Sequence, residues 1–232
     1  MTTVALTITP LTVPATLDAD DAAEFRHYGE LNALICDEAV GLPGLAPDAA
    51  QMLPAWQDTA DTLHLGFVAR EGDEIVGMVT VDYAQEDGAN TASVDVLLPR
   101  AYEGRGVEDA LLAHAEADAS ARGRSILQLW TLHRPEESER MLTPRTGWGR
   151  VPSNPLSDLA ERSGYAFEQV ERNSEFTMPE DDSAVRTALA DALAAGHRIV
   201  NVNDALFYYV LGENAGYRYP TAARIWAADW HP

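Results

Sequence analysis

Val94-Asp95-Val96-Leu97-Leu98-Pro99-Arg100-Ala101-Tyr102-Glu103-Gly104-Arg105-Gly106-Val107-Glu108-Asp109-Ala110-Leu111-Leu112 changes its apolar period partway along. Val94 and Val96 alternate with Asp95 as in a strand, whereas Val107, Ala110, Leu111, His114 and Ala115 recur at helical spacing. A strand therefore enters a turn with two glycines and leaves as a helix. The unbonded N–H groups and dipole at such a helix start can cradle a pyrophosphate. A side chain at Gly104 or Gly106 would hold the backbone away from the phosphate oxygens. No Gly-Lys-Ser/Thr follows, so this is not a Walker loop. The preceding strands are hairpin-linked, which separates it from a dinucleotide fingerprint.

Upstream, period-two runs Leu63–Arg70, Glu74–Tyr83 and Thr91–Leu98 are joined by Glu71-Gly72-Asp73 and by Glu86 to Asn90, predicting antiparallel hairpins. Before them come a first strand, Val4–Ile8, and helices over Asp18–Ala39 and Pro47–Thr59. Downstream, the motif helix spans Val107–Arg122 and a strand spans Ile126–Leu132. A glycine-marked stretch ending Pro144-Arg145-Thr146-Gly147-Trp148-Gly149 is too long for a simple connector and reads as a functional or mobile loop. A helix over Leu156–Arg162 and a strand over Tyr165–Met178 complete the unit. Pro179-Glu180-Asp181-Asp182 marks a boundary, followed by a helix Ala184–Ala195, a strand around His197–Val202, a helix near Asp204–Leu211 and an aromatic closing segment.

The chain has 232 residues, 46% of them apolar, enough for one generous core. Its 37 acidic against 16 basic residues give a net charge of −21, which repels nucleic acid and anionic lipid and favours cationic ligands. An acidic proteome or a salt-adapted source gives the same total without functional meaning. One cysteine, Cys36, beside an apolar helix face, excludes an internal disulfide and reads as core packing. No cysteine cluster offers a metal site. No basic leader or membrane-length apolar run is present, so the expectation is a cytoplasmic protein without a membrane segment.

The element order across residues 4–178 resembles the GNAT superfamily of acyl-CoA-dependent N-acyltransferases. The resemblance implies an α/β (α+β) fold with a central mixed, mostly antiparallel sheet flanked by helices. The family's pyrophosphate loop, Gln/Arg-x-x-Gly-x-Gly/Ala, falls on Glu103-Gly104-Arg105-Gly106-Val107-Glu108, where Gly106 matches and Glu103 and Glu108 depart. Two carboxylates near a pyrophosphate cost about 3 kcal/mol each at ~5 Å and an effective dielectric of about 20. They point to solvent, are compensated by Arg105, or weaken the site. Thr146 to Gly149, Pro155 and Leu159 to Arg172 resemble the first repeat of actinobacterial tandem-GNAT proteins, and Asn203 with Glu213 to Arg218 resembles the end of a second. The expected organisation is therefore a GNAT-like domain over 1–179 and an abbreviated C-terminal extension over 180–232.

The resemblance implies acetyl-CoA as acyl donor, held by Leu97, Leu98, Gly104, Arg105, Gly106, Val107, Glu108 and Asp109, and a small-molecule amine as acceptor. Acyl transfer to an amine needs a base for the ammonium and often an acid for the leaving thiolate. Asp95, opposite in direction to Val94 and Val96, and Asp82, ending the neighbouring strand, are the candidate relays; the alternative is a solvated strand face. The family's tyrosine acid, four residues before a late glycine, falls here on Ala160 and Gly212, which leaves Tyr208 and Tyr209 as the nearest phenols of the tail. His133 is a substrate-side candidate and His114 a core-edge one. Tyr28, Glu30, Asp37, Glu38 and Trp56 would meet a cation or pack the first helix pair. Two readings stay open: an N-acyltransferase, and a non-catalytic GNAT-like binding module. A homodimer is compatible with both, the tail docking either in cis or across it.

Overall fold

The computed structural model describes residues 5–41, 46–134, 136–172 and 181–196, and the backbone of 224–230. In chain order the elements are β1 (Leu6–Pro10), α1 (Ala23–Val40), α2 (Ala49–Gln57), β2 (Thr62–Glu71), β3 (Glu74–Ala84), β4 (Thr91–Leu97), α3 (Val107–Ala121), β5 (Ile126–His133), β6 (Met141–Leu142), β7 (Val151–Pro152), α4 (Pro155–Arg162), β8 (Ala166–Arg172), α5 (Ser183–Ala194) and β9 (Arg224–Trp230). A seven-stranded sheet runs β1-β2-β3-β4-β5-β9-β8. From β1 to β5 it is mixed and mostly antiparallel, as expected, with β4 and β5 parallel and linked through α3. Beyond β5, β9 and β8 continue in parallel.

Local chemistry sets the boundaries. α1 starts at Ala23, later than the expected Asp18, because the aspartate-rich segment before it turns on itself: Ala19 N–H donates to Thr16 O and Ala22 N–H to Ala19 O. It ends at Gly41, whose left-handed φ of 78° lets its N–H reach Asp37 O. α2 begins with a capping box, Asp48 accepting from Gln51 N–H while the Gln51 side chain accepts from Asp48 N–H. The β6–β7 ribbon was not anticipated, since two-residue strands carry no readable period. It turns the Pro144–Gly149 stretch into a loop between two short strands, with Trp148 82% exposed. The strand and helix expected over His197–Leu211 lie outside the described residues, and the closing aromatic segment contains β9.

The sheet is covered on both faces. On one, Val79, Val81, Val94 and Leu129 pack on Val107, Leu111 and Ala115 of α3. On the other, Phe25 and Tyr28 of α1 and Trp56 of α2 form an edge-on aromatic cluster over Val68, Met78 and Leu97. Close approach requires glycine at two sheet positions: a Cβ on Gly66 would lie 2.8 Å from Leu11 Cδ2, and one on Gly77 3.0 Å from Leu98 Cδ1. The chain divides into two compact units, Met1–Asn173 with Thr221–Pro232, and Ser174–Pro220. The strand β9, from the segment expected to be an extension, thus belongs to the sheet of the first unit.

Candidate functional site

β4 and β5 pair from Thr91↔Ile126 to Asp95↔Trp130 and then part, although β4 continues to Leu97 and β5 to His133. A cavity of about 1170 Å³ opens there, bordered by Val96, Leu97 and Leu98 on one side and Leu132 on the other. Backbone edges released from a ladder can receive an extended, amide-bearing ligand. The sequence-predicted Leu97 and Leu98 lie on this border.

Both predicted carboxylates also line the cavity. Asp82 stands across from Ser93 and Asp95 across from Thr80, which puts the two on one sheet face, toward α1 and α2. Tyr28 reaches the same cavity from α1, and its hydroxyl is raised by burial and then by the Asp95 and Asp82 charges, so it stays protonated as a hydrogen-bond donor. His64, which the sequence reading missed, lies across from Asp82 on β2 with Nδ1 2.7 Å from Asp82 Oδ1. Its ring stacks on Trp56, centroids 5.6 Å apart. The Asp82 hydrogen bond raises the His64 pKa against an opposing effect of burial. The result is a carboxylate facing the cavity with an imidazole behind it, next to a second carboxylate and a neutral phenol. Such a set can accept a proton from an ammonium and pass it on.

The glycine turn adjoins this region. Gly104 and Gly106 have φ of 72° and 84°, and a Cβ at either would meet nothing within 4 Å, so the space above the backbone is open. Gly106 is the N-cap of α3, and Val107 anchors the first turn in the core. Glu108 does not point to solvent. It is 5% exposed and folds back so that Oε1 accepts the Gly104 N–H at 2.9 Å, while Oε2 is buried with no hydrogen-bond partner among the described residues. Arg105 does not compensate it: its guanidinium pairs with Glu71 at 2.6 Å and lies over Tyr102. The nearer cation is Arg162 of α4, 3.6 Å from Glu108 Oε1 and bound to both oxygens of Asp109. The Arg162 hydrogen bonds hold the Asp109 carboxyl below its usual range. Glu103 is exposed at the cavity rim.

His133 is 1% exposed; its Nδ1–H donates to Pro152 O at 2.7 Å, which leaves Nε2 to accept from Thr131 Oγ1 at 2.8 Å. Burial lowers its pKa to about 4, so it is a neutral structural link between β5 and β7. The His114 ring packs edge-on against Phe67. Of the expected acceptor wall, Trp56 packs in the aromatic cluster and Glu30 and Asp37 are exposed away from the cavity lining, while Glu38 reaches it. Cys36 is buried at the cavity's edge. Tyr208 and Tyr209 lie outside the described residues. Among those residues no group of His, Cys, Asp and Glu could hold a metal, and no helix is long and apolar enough to cross a membrane.

Residues 32–143 match the model of the acetyltransferase (GNAT) family, a span from the second half of α1 through α2, the hairpins, the glycine turn and α3 to β5 and β6. The resemblance to that superfamily read from the sequence holds at the level of fold. Among solved structures, a tandem GNAT protein from the clavulanic acid biosynthesis pathway is similar at 23% identity and TM-score 0.51, over 69% of this chain and 43% of that one. This chain thus spans less than half of that protein. A ribosomal-protein-alanine N-acetyltransferase from Brucella melitensis biovar Abortus 2308 aligns at 20% identity and TM-score 0.44 over 75% and 99% of the two chains. An aminoglycoside acetyltransferase from an uncultured soil metagenomic sample, in complex with sisomicin, aligns at 14% and 0.47 over 75% and 97%. No curated protein matches the sequence.

Proposed function

We propose that this protein is an acyl-CoA-dependent N-acyltransferase that transfers an acyl group, with acetyl-CoA as donor, directly to a small amine. The observation that carries the reading is the meeting of Asp82, Asp95 and Tyr28 in a cavity that opens where β4 and β5 part, beside a glycine turn at a helix start. The family match over residues 32–143 supports it. The donor supplies an activated thioester. On this reading Leu97 and Leu98 offer backbone to its arm, and Gly104, Arg105, Gly106, Val107 and Asp109 surround its diphosphate. Asp95 and Asp82 accept the ammonium proton, with His64 holding Asp82 in place. The freed amine forms the C–N bond as the C–S bond breaks, and Tyr28 donates a hydrogen bond to the charge that develops. The nitrogen gives up a second proton as the amide forms, so that of its two lost protons one ends on the thiolate and the other is released to solvent. Tyr209, the remaining phenol of the expected set, is not needed by this arrangement.

One observation favours the second reading, a binding module with weak or no affinity for CoA: the Glu108 carboxylate already holds the Gly104 N–H. Titration calorimetry with acetyl-CoA separates the two. The first reading expects binding heat and amine-dependent thiol release; no heat and no thermal shift at millimolar ligand would sink it. A cytoplasmic location and a homodimer belong to this proposal as well, the latter tested by light scattering on the purified chain.

A further inference from the structure

We propose that Arg100 and Arg134 form an oxyanion-binding subsite at the end of the cavity beyond Leu97, so that the ligand bound there carries a carboxylate or phosphate. The inference rests on the acyltransferase reading for its enzymatic arm and on binding alone for the other. In a chain with 37 acidic residues, arginines normally find carboxylates: Arg70, Arg105, Arg122, Arg140 and Arg162 each do. Among the described residues, no carboxylate lies within ion-pair distance of Arg100 or Arg134, and both line the cavity. They follow the parted strands β4 and β5, and each donates through Nη2 to the same main-chain oxygen, Glu38 O, at 2.9 Å. Gly41, at the end of α1, packs its bare Cα side toward the Arg134 guanidinium, 3.7 Å from where a Cβ would sit. One shared carbonyl uses one of five N–H donors on each guanidinium, and Arg134 Nε is buried without a partner. Two guanidiniums fixed by one oxygen, with donors to spare, suit bidentate recognition of a planar oxyanion.

The cavity also carries acids at its rim. Glu38, Glu103, Glu136, Glu137 and Glu171 all line it; Glu137 is paired with Arg150 at 2.6 Å and Glu103 feels the Arg100 charge, but among the described residues none comes within ion-pair distance of Arg100 or Arg134. Asp95 is level with Trp130, and Arg134 lies four residues further along the chain, one past the end of β5. Carboxylates at one end and guanidiniums at the other fit a ligand with an ammonium and an oxyanion a few bonds apart, namely an amino acid-like acceptor. The alternative source of the oxyanion is a phosphate of the donor.

The test compares 4-aminobutyrate with n-butylamine as acceptors, and acetyl-CoA with acetyl-pantetheine as donors, in the wild type, Arg100→Gln and Arg134→Gln. Calorimetry with succinate serves as the probe that needs no turnover. The proposal expects each variant to lose at least tenfold in succinate affinity. If the acceptor brings the oxyanion, kcat/KM for 4-aminobutyrate falls at least tenfold and that for butylamine stays. If the donor brings it, KM for acetyl-CoA rises and that for acetyl-pantetheine stays. Because both arginines hold the end of α1, Arg134→Lys, which keeps one charge and one donor to Glu38 O, is measured alongside with its circular dichroism, and should retain part of the binding. Succinate affinity and all four kinetic constants unchanged in folded variants would overturn the subsite. Succinate binding lost in the variants while the wild type turns over nothing would uphold the subsite and sink the acyltransferase reading.

Discussion

Glu108 Oε1 accepts the backbone N–H of Gly104 at 2.9 Å, from a side chain that is 95% buried in the first turn of α3. The carboxylate thus stands where an incoming phosphate oxygen would seek the same donor. A buried carboxylate repels a diphosphate with little help from salt screening.

Glu108→Gly is therefore expected to tighten acetyl-CoA binding by up to about a hundredfold, the equivalent of ~3 kcal/mol at about 5 Å and an effective dielectric near 20. Glu108→Gln, which keeps the shape and loses the charge, should give part of this gain. Titration calorimetry reads both. Equal affinity in all three proteins would mean that Glu108 does not compete for the loop. Gly106→Trp, filling the open space over the turn, should abolish binding.

Asp95→Asn is expected to lower kcat by about 10²–10⁴-fold with little change in acetyl-CoA affinity, as loss of a proton acceptor does. Steady-state kinetics beside calorimetry would separate this from a binding defect. The same fall in affinity as in rate would place Asp95 in the binding wall only.

For His64, the Asp82 hydrogen bond is the main cause of its raised pKa. Asp82→Asn should bring the imidazole titration midpoint down, as followed by proton NMR of the ring. An unmoved midpoint would show that the 2.7 Å pair does not persist in solution.

His133 makes stability depend on pH. Burial holds its folded-state pKa at about 4, below the unfolded value of ~6.5. Between those limits the unfolded chain binds the proton and the native one does not, so stability is lost as pH falls from ~6.5 toward 4. The full span corresponds to about 3 kcal/mol. Urea midpoints for wild type and His133→Gln, measured from pH 7 to 4, should converge at low pH. Parallel curves would contradict it.

Gly77→Ala should destabilise the domain by about 1–3 kcal/mol, the usual cost of overpacking. The added methyl would meet Leu97 O at 3.1 Å as well as the Leu98 and Leu111 side chains, and a ladder carbonyl has little room to yield. A thermal midpoint equal to wild type would show that α3 shifts without penalty.

The fold was readable because its periods are long. The runs in β2, β3 and β4 and the turn chemistry between them set the hairpins, and the glycines before Val107 set the strand-to-helix crossing. The site was half readable: Asp82, Asp95, Leu97 and Leu98 all border the cavity. His64 was not, for a geometric reason. Counting back from the Glu71↔Glu74 pair in regular register sets His64 against Val81; the irregularity between Ala69 and Arg70 shifts it by one, onto Asp82. Nor could spacing show that Glu108 turns inward, since a first-turn carboxylate is ordinarily a solvated partner of the helix dipole. Arg100 and Arg134, 34 residues apart, converge only because each follows one of the two parted strands and turns to the same carbonyl, Glu38 O of α1.

The position of β9 between β5 and β8 has a bearing on biogenesis. A ribosome that has delivered everything through Arg172 has released β8 but not the strand that joins it to the sheet, because β9 begins at Arg224. Closure of the sheet must wait for about fifty further residues, and sequence-distant pairings of this kind fold slowly. During that interval β5 presents an open edge, so nascent chains stalled before Arg224 are the ones expected to recruit chaperones or to aggregate.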